Sequence, residues 1–339
     1  KWTNLVKDIN LSWNSSAVEF YWFNNKLYFA ADDWNSWLEL WSTNKTSAWT
    51  NIVRDINSWA WWSIEADFGD YELIDAWNVA YFSANDWSNW NELWKTDGTQ
   101  WWTVMVKDIK SWAWSSNPRR FMESNWMVYF EASDLTNWTE LWKTDGTLSW
   151  TVMVKNIDPV WWSQPKPLFT LWAKMYFKVS GNTIPDWIWE TDGTSTGTVL
   201  VKNLWWGLFF AEKDWKYYFS GQDWNWRELW ESDGTPWWTV MTVDIVPWAW
   251  WSNLFNTFNH KWTLYFSADD WVNWRELWIS DWTSTWTTML MDINSWAWSS
   301  SPWPFIEYWW KLFFWVFATN WDIELWTSNW TETWTKRVK

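Results

Sequence analysis

Seven times along the chain a tryptophan closes the same short phrase. Glu-Leu precedes Trp41, Trp94, Trp142, Trp230, Trp278 and Trp326, and Ile188-Trp189 is a variant copy. The intervals are 53, 48, 47, 41, 48 and 48 residues. A period of this size, kept through a whole chain, marks one supersecondary unit used over and over, because a single unit cannot bury its apolar face and must stack on a copy of itself. Cutting after the threonine that ends each copy gives units 4–50, 51–103, 104–151, 152–198, 199–239, 240–287 and 288–335. The 339 residues are therefore expected to form one domain, 1–339, and not several unrelated ones.

Each unit reads as four strands. In the third, 104–109 is a β-branched run, 120–124 and 127–133 are apolar and aromatic, and 139–144 carries Glu-Leu-Trp. All are strand-length and bounded by turn-forming residues, and helical periodicity is absent. Four short antiparallel strands in 40 to 50 residues make the blade of a propeller, which deals with exposed sheet edges by radial repetition. The expected fold is all-β, a seven-bladed β-propeller. The ends suggest how it closes: Thr335-Lys336-Arg337-Val338-Lys339 matches Thr103-Val104-Met105-Val106-Lys107, and so does Thr3-Asn4-Leu5-Val6-Lys7. The same strand at both termini predicts closure by pairing of the N- and C-terminal strands.

Composition enters at the turns. The chain has 54 Trp and only 9 Gly. The stretch 192–198, Asp-Gly-Thr-Ser-Thr-Gly-Thr, recurs at 281–287 with Trp in place of both glycines. One repeat position holds Gly98, Gly146, Gly193 and Gly234 but Trp282 and Trp330, and other tryptophans fall at turn positions, as in Asp86-Trp87, Asn125-Trp126 and Asp270-Trp271. Asp-Gly and Asn-Gly are strong turn signals because glycine takes positive φ freely; tryptophan does not. The pattern predicts a variant genetic code in which UGA, read here as Trp, encodes glycine. A Trp-rich surface that stacks on sugars would not track turn geometry.

The phrase Glu-Leu-Trp-Lys-Thr-Asp-Gly-Thr at 92–99 and 140–147, followed by Thr-Val-Met-Val-Lys and Asp-Ile or Asn-Ile, resembles the ELWxxDGT repeat family, also labelled hyalin-like. With Trp read as Gly, 111–116 becomes the small-residue loop usual there. Departures are Ile188 in the fourth unit, Lys45 in the first, and a fifth unit short of loop after Asn203. The resemblance implies a secreted or cell-surface bacterial protein and a monomeric domain of a larger one. It carries no catalytic residues.

Candidate sites follow from residue type. The loop expected to join the third and fourth strands is polar in most units: Asp32, Asp33, Asn35 and Glu39; Asn85, Asp86, Asn89 and Glu92; Asp269, Asp270, Asn273 and Glu276. Such oxygen donors could hold calcium, although Asp and Asn also build turns. No other cofactor is expected. Trp41, Trp94, Trp142, Trp189, Trp230, Trp278 and Trp326 are expected to pack between blades. The recurring Glu and the Asp of Asp-Gly-Thr suggest acceptors for turn amides. His260, the one histidine, is expected in a solvent-facing turn. With no cysteine and no second histidine, a His-rich zinc site and a Cys nucleophile are excluded, and a Ser-His-Asp triad would have to use His260. The irregular stretch 152–239 is where a ligand site unique to one sector would sit. Lys and Arg number 25 against 40 Asp and Glu, a net charge of -15 that repels nucleic acid and anionic membranes, and no apolar run reaches the length of a membrane span. The expected function is a non-catalytic binding or adhesion module presenting a propeller face to a glycan or protein. Alternatives are a polysaccharide-acting propeller hydrolase or lyase and a structural spacer.

Overall fold

The computed structural model describes residues 3–58, 62–64, 73–111, 114–181, 187–203, 205–222, 227–246, 252–261, 263–295, 299–317 and 322–338. Trp112 and Ala113, of the loop expected to be small, lie outside them. Seven four-stranded antiparallel sheets follow one another along the chain, spanning 18–54, 74–107, 119–155, 165–202, 205–243, 255–291 and 303–337. Every strand pairs with the next in sequence, so each sheet is a plain meander. Among the described residues the only helical pieces are three single turns, Ser47–Trp49, Ser284–Trp286 and Glu332–Trp334. The repeated, blade-like all-β architecture expected from the sequence is present.

The second sheet shows the unit: Ile74–Ala76, Val79–Asn85, Asn91–Thr96 and Val104–Lys107. Its second strand, Val-Ala-Tyr-Phe-Ser-Ala-Asn, is nearly all buried because both faces of the sheet are covered, so apolar residues run on without the alternation of a half-exposed strand. Its third strand carries Glu92-Leu93-Trp94, in register with Ala84, Ser83 and Phe82.

The chain divides into two compact units, 1–184 with 189–199, and 185–188 with 200–339. Within the first, one core cluster joins Tyr28, Ala30 and Leu40 of the first sheet to Phe82 and Trp94 of the second. The next joins Tyr81 and Leu93 to Val128, Phe130 and Trp142. Within the second, Tyr218 and Leu229 pack against Phe266 and Trp278. Trp94, Trp142 and Trp278 thus fill the wedge between their own sheet and the one before it, and each such ring contributes about 3 kcal/mol by leaving water.

The expected closure does not form. Lys336–Arg337 pairs with Trp326 and Thr327 of its own sheet, while residues 3–7 form no strand. The C-terminal copy pairs at the edge of the seventh sheet. The N-terminal copy makes side-chain contacts. Lys7 Nζ donates to the Thr50 carbonyl at 2.6 Å and lies 5.6 Å from the Trp41 ring, as Lys107 does with Thr151 at 2.7 Å and Trp142 at 5.7 Å.

Candidate functional site

The most regular polar feature is the glutamate of the Glu-Leu-Trp phrase. In the strand its side chain points away from that of the following leucine, toward the segment that leaves the fourth strand, and it is fully buried at Glu39, Glu92, Glu140, Glu228 and Glu276. Glu92 accepts the Ile109 amide at 2.8 Å, the Ser116 amide at 3.1 Å and the Ser116 hydroxyl at 2.7 Å. Glu276 repeats this with Ile293 at 2.9 Å and with Ser300 at 3.0 and 2.5 Å. Glu140 takes Ile157, Asp158 and the Ser163 hydroxyl, and Glu39 takes the Ile56 and Asn57 amides. One carboxylate thereby pins the exit of the fourth strand and, through the serine, the entry of the next sheet. In the fourth unit the phrase reads Trp187-Ile188-Trp189, and in the seventh Glu324 is part-exposed and bonded to Arg337 at 2.5 Å.

Burial pushes the carboxyls of Glu39, Glu92, Glu140 and Glu276 up to about 7 and that of Glu228 to about 8, against the opposing pull of their donors. The folded state therefore binds more protons than the unfolded chain, whose glutamates ionise near 4.5. This stabilisation is fully present below pH 4.5 and is lost as pH rises through 7 and 8, by about 3 kcal/mol per glutamate. Self-repulsion of a chain with net charge -15 acts in the same direction. The urea midpoint is expected to be higher at pH 5 than at pH 8. A midpoint that rises over that interval contradicts the assignment.

The calcium candidates turn inward on their own loops. Asp33 Oδ1 accepts the amides of Asn35 and Ser36 at 3.0 and 2.8 Å. Asp86 accepts those of Ser88 and Asn89 and the Asn89 side chain, and Asp270 does the same with Val272 and Asn273. Asp32, Asn85 and Asp269 accept from residues two further on. These are Asx turns, whereas Glu39, Glu92 and Glu276 serve the different network described above. Among the described residues no three His, Cys, Asp or Glu side chains gather as metal ligands do. Thermal unfolding is expected to be unchanged by a chelator, and a midpoint lowered by several degrees would put a structural cation in these loops.

The Asp-Gly-Thr turns are equally self-contained: Asp97 accepts the Thr99 amide at 2.9 Å, and Thr96 and Thr103 share a buried hydroxyl bond of 2.7 Å. His260 is not in a solvent-facing turn. It ends the strand Phe255–His260, its side chain only 11% exposed, stacked 3.9 Å from the Trp330 ring and bonded to Glu307 at 2.9 Å. Sequence reasoning missed Glu131, a buried carboxylate bonded to Arg119 and Arg120, where the first, second and sixth sheets have Ala30, Ser83 and Ser267. Burial raises its pKa and the two guanidiniums oppose the shift. Paired arginines beside the only acid at that position were the available signal. In 152–239, residues 182–186, 204 and 223–226 lie outside the described ones.

No family model matches the chain, and no curated protein matches it. Solved structures do. A Mycobacterium tuberculosis puromycin-hydrolyzing peptidase is 8% identical over 96% of this chain and 53% of its own, with a TM-score of 0.46. A structure from a study of two prolyl endopeptidases is 11% identical over 96% and 50%, with a TM-score of 0.45. A puromycin hydrolase is 8% identical over 99% and 55%, with a TM-score of 0.44. The chain spans about half the length of these proteins. Likeness at this level concerns the repeated sheet architecture and nothing finer. These three neighbours are peptidases and puromycin hydrolases, not adhesion modules or polysaccharide-acting enzymes, and the expected adhesion function and its polysaccharide-acting alternative find no counterpart among them and are not carried further. No helix among the described residues is long and apolar enough to cross a membrane.

Proposed function

We propose that this chain is a non-catalytic accessory domain of a larger protein, serving a neighbouring domain or partner protein and making or breaking no bonds itself. The observation that carries this is the use of the recurring carboxylates. Five buried glutamates answer the amides and hydroxyls of their own sheet connections, and the loop aspartates answer their own turns. A general acid or base has to reach a substrate proton, and these groups face inward. The same proposal includes membership of the ELWxxDGT repeat family, an extracellular location, and glycine-reading UGA codons at most of the tryptophans. The turn positions of those tryptophans and the repeated phrase support it. The chain, incubated with peptide, ester and polysaccharide substrates, is expected to turn over none of them. Turnover abolished by one side-chain substitution would overturn the reading.

A further inference from the structure

We propose that the backbone sorts the tryptophans into two classes: those in the left-handed region stand where the native polypeptide carries glycine, and those of the Glu-Leu-Trp phrase are native tryptophan. The inference rests on the glycine-reading codon above and says which positions it covers. Fourteen tryptophans among the described residues have positive φ, from 50° to 81°. In that region the Cβ of an L residue crowds the backbone carbonyl, and only glycine, with Asn and Asp far behind, goes there routinely. None of Trp41, Trp94, Trp142, Trp189, Trp230, Trp278 and Trp326 is among them.

The turns make the case residue by residue. Two residues join the first and second strands of each sheet, and both are left-handed in Asn24-Asn25, Trp77-Asn78, Asn125-Trp126, Asp214-Trp215 and Trp309-Trp310. Hairpins of this kind favour glycine with Asn, Asp or a second glycine. Reading Trp as Gly converts the last four pairs into Gly-Asn, Asn-Gly, Asp-Gly and Gly-Gly. At Trp172-Ala173 only the first residue is left-handed, at 58°, which is the hairpin form that takes glycine first.

Between the second and third strands, Trp34, Trp87 and Trp271 have φ of 75°, 70° and 62°, and Trp37, Trp90 and Trp274 have 55°, 58° and 62°. The third unit has Leu135 where the first group lies, and there neither Leu135 nor Trp138 is left-handed. A residue that does carry a side chain sends this loop along another path.

After the third strand, Gly98, Gly146, Gly193 and Gly234 have φ of 87° to 92°, and Trp282 and Trp330 take the same place at 81° and 80°. Lys45 occupies it in the first unit at 78°. A Cβ on Gly146 would come 2.5 Å from Tyr81 Oη, and one on Gly193 2.6 Å from Tyr129 Oη. Trp282 and Trp330 instead lie on the rings of Tyr218 and Tyr265, at 4.5 and 4.8 Å. Exposure differs for most of the two classes, with the left-handed Trp282, 2% exposed, as an exception. Trp126, Trp172 and Trp309 are 73% to 76% exposed, while Trp41, Trp94 and Trp142 are 4% to 6% exposed. The native surface therefore lacks these aromatic platforms, and any partner meets the polar loops.

Peptide mapping by mass spectrometry of the polypeptide from its natural source tests both levels. Glycine is expected at all fourteen left-handed positions and tryptophan at all seven phrase positions. Tryptophan in the peptides that cover all fourteen left-handed positions overturns the codon reading and the inference with it. Glycine at some of the tryptophan positions, with the peptides holding Asn125-Trp126 or Asp281-Trp282 still carrying Trp or the one holding Glu92-Leu93-Trp94 carrying Gly, leaves the codon reading standing and overturns the sorting.

Discussion

Replacing Glu92 with alanine is expected to lower the stability of the first compact unit by about 3 to 5 kcal/mol. The substitution strands three donors, the amides of Ile109 and Ser116 and the Ser116 hydroxyl, in a place without access to water. Each buried, unsatisfied donor costs about 1 to 3 kcal/mol, and relaxation recovers part of it. Glu92→Gln keeps one acceptor oxygen but turns an amide group toward one of those donors, so it should cost about 1 to 2 kcal/mol and remove this site's share of the pH dependence. Glu324→Ala supplies the contrast at the same repeat position. Its carboxylate is partly exposed and its partner Arg337 largely so, which limits the effect to under about 1 kcal/mol. Urea unfolding followed by fluorescence at pH 5 and pH 8 ranks the three variants. Equal losses at Glu92 and Glu324 would mean that the glutamate network does not hold the sheet connections.

Much of this architecture can be read from residue types. The strands are legible because each unit repeats an aromatic, β-branched run between turn-forming residues, as in Met127–Ser133 beside Asn125-Trp126. The turns are legible because Asp, Asn and Gly recur where φ must be positive. Termini are a different matter. Residues 3–7 and 335–339 carry the same pattern, and a pattern states what a segment can pair with, not which of two claimants takes the edge. Lys336–Arg337 belongs to the sheet immediately before it in sequence, so its pairing needs only a short loop to close.

The sites divide along similar lines. The repetition of the glutamate pointed to a structural acceptor, but its donors stand 17 and 24 residues away, as with Ile109 and Ser116 for Glu92. A local turn was the only partner that spacing could suggest. His260 looked solvent-facing because Asn259-His260-Lys261 is turn-like in composition; its neighbours Glu307 and Trp330 are 47 and 70 residues on. Glu131 was hidden by having no copies. Periodicity shows what is shared among the units, whereas a buried ion pair present in one of them carries no periodic signal and is found only when the equivalent positions, Ala30, Ser83 and Ser267, are set beside it.

Two substitutions of tryptophan are expected to change stability in opposite directions. Trp94→Ala removes a ring that is 4% exposed and packed against Tyr28, Ala30 and Leu40 of the preceding sheet. Lost burial and the cavity left behind should cost about 3 to 5 kcal/mol. Trp126→Gly removes a ring that is 74% exposed, at φ 61° in the hairpin between the first two strands of the third sheet. A side chain held in the left-handed region costs about 1 to 2 kcal/mol. Against that gain stand the greater chain entropy of glycine when unfolded, about 0.5 to 1 kcal/mol, and a loose stack on Trp77 at 6.0 Å. The net result is a rise of up to about 1 kcal/mol, and it should grow when Trp77 is changed to glycine as well, since the hairpin Trp77-Asn78 carries the same strain at φ 53°. Denaturation of the single and double variants measures both signs. A clear loss at Trp126→Gly would mean that the exposed ring contributes more by contact than the turn loses by strain, and that its place in the hairpin belongs to tryptophan after all.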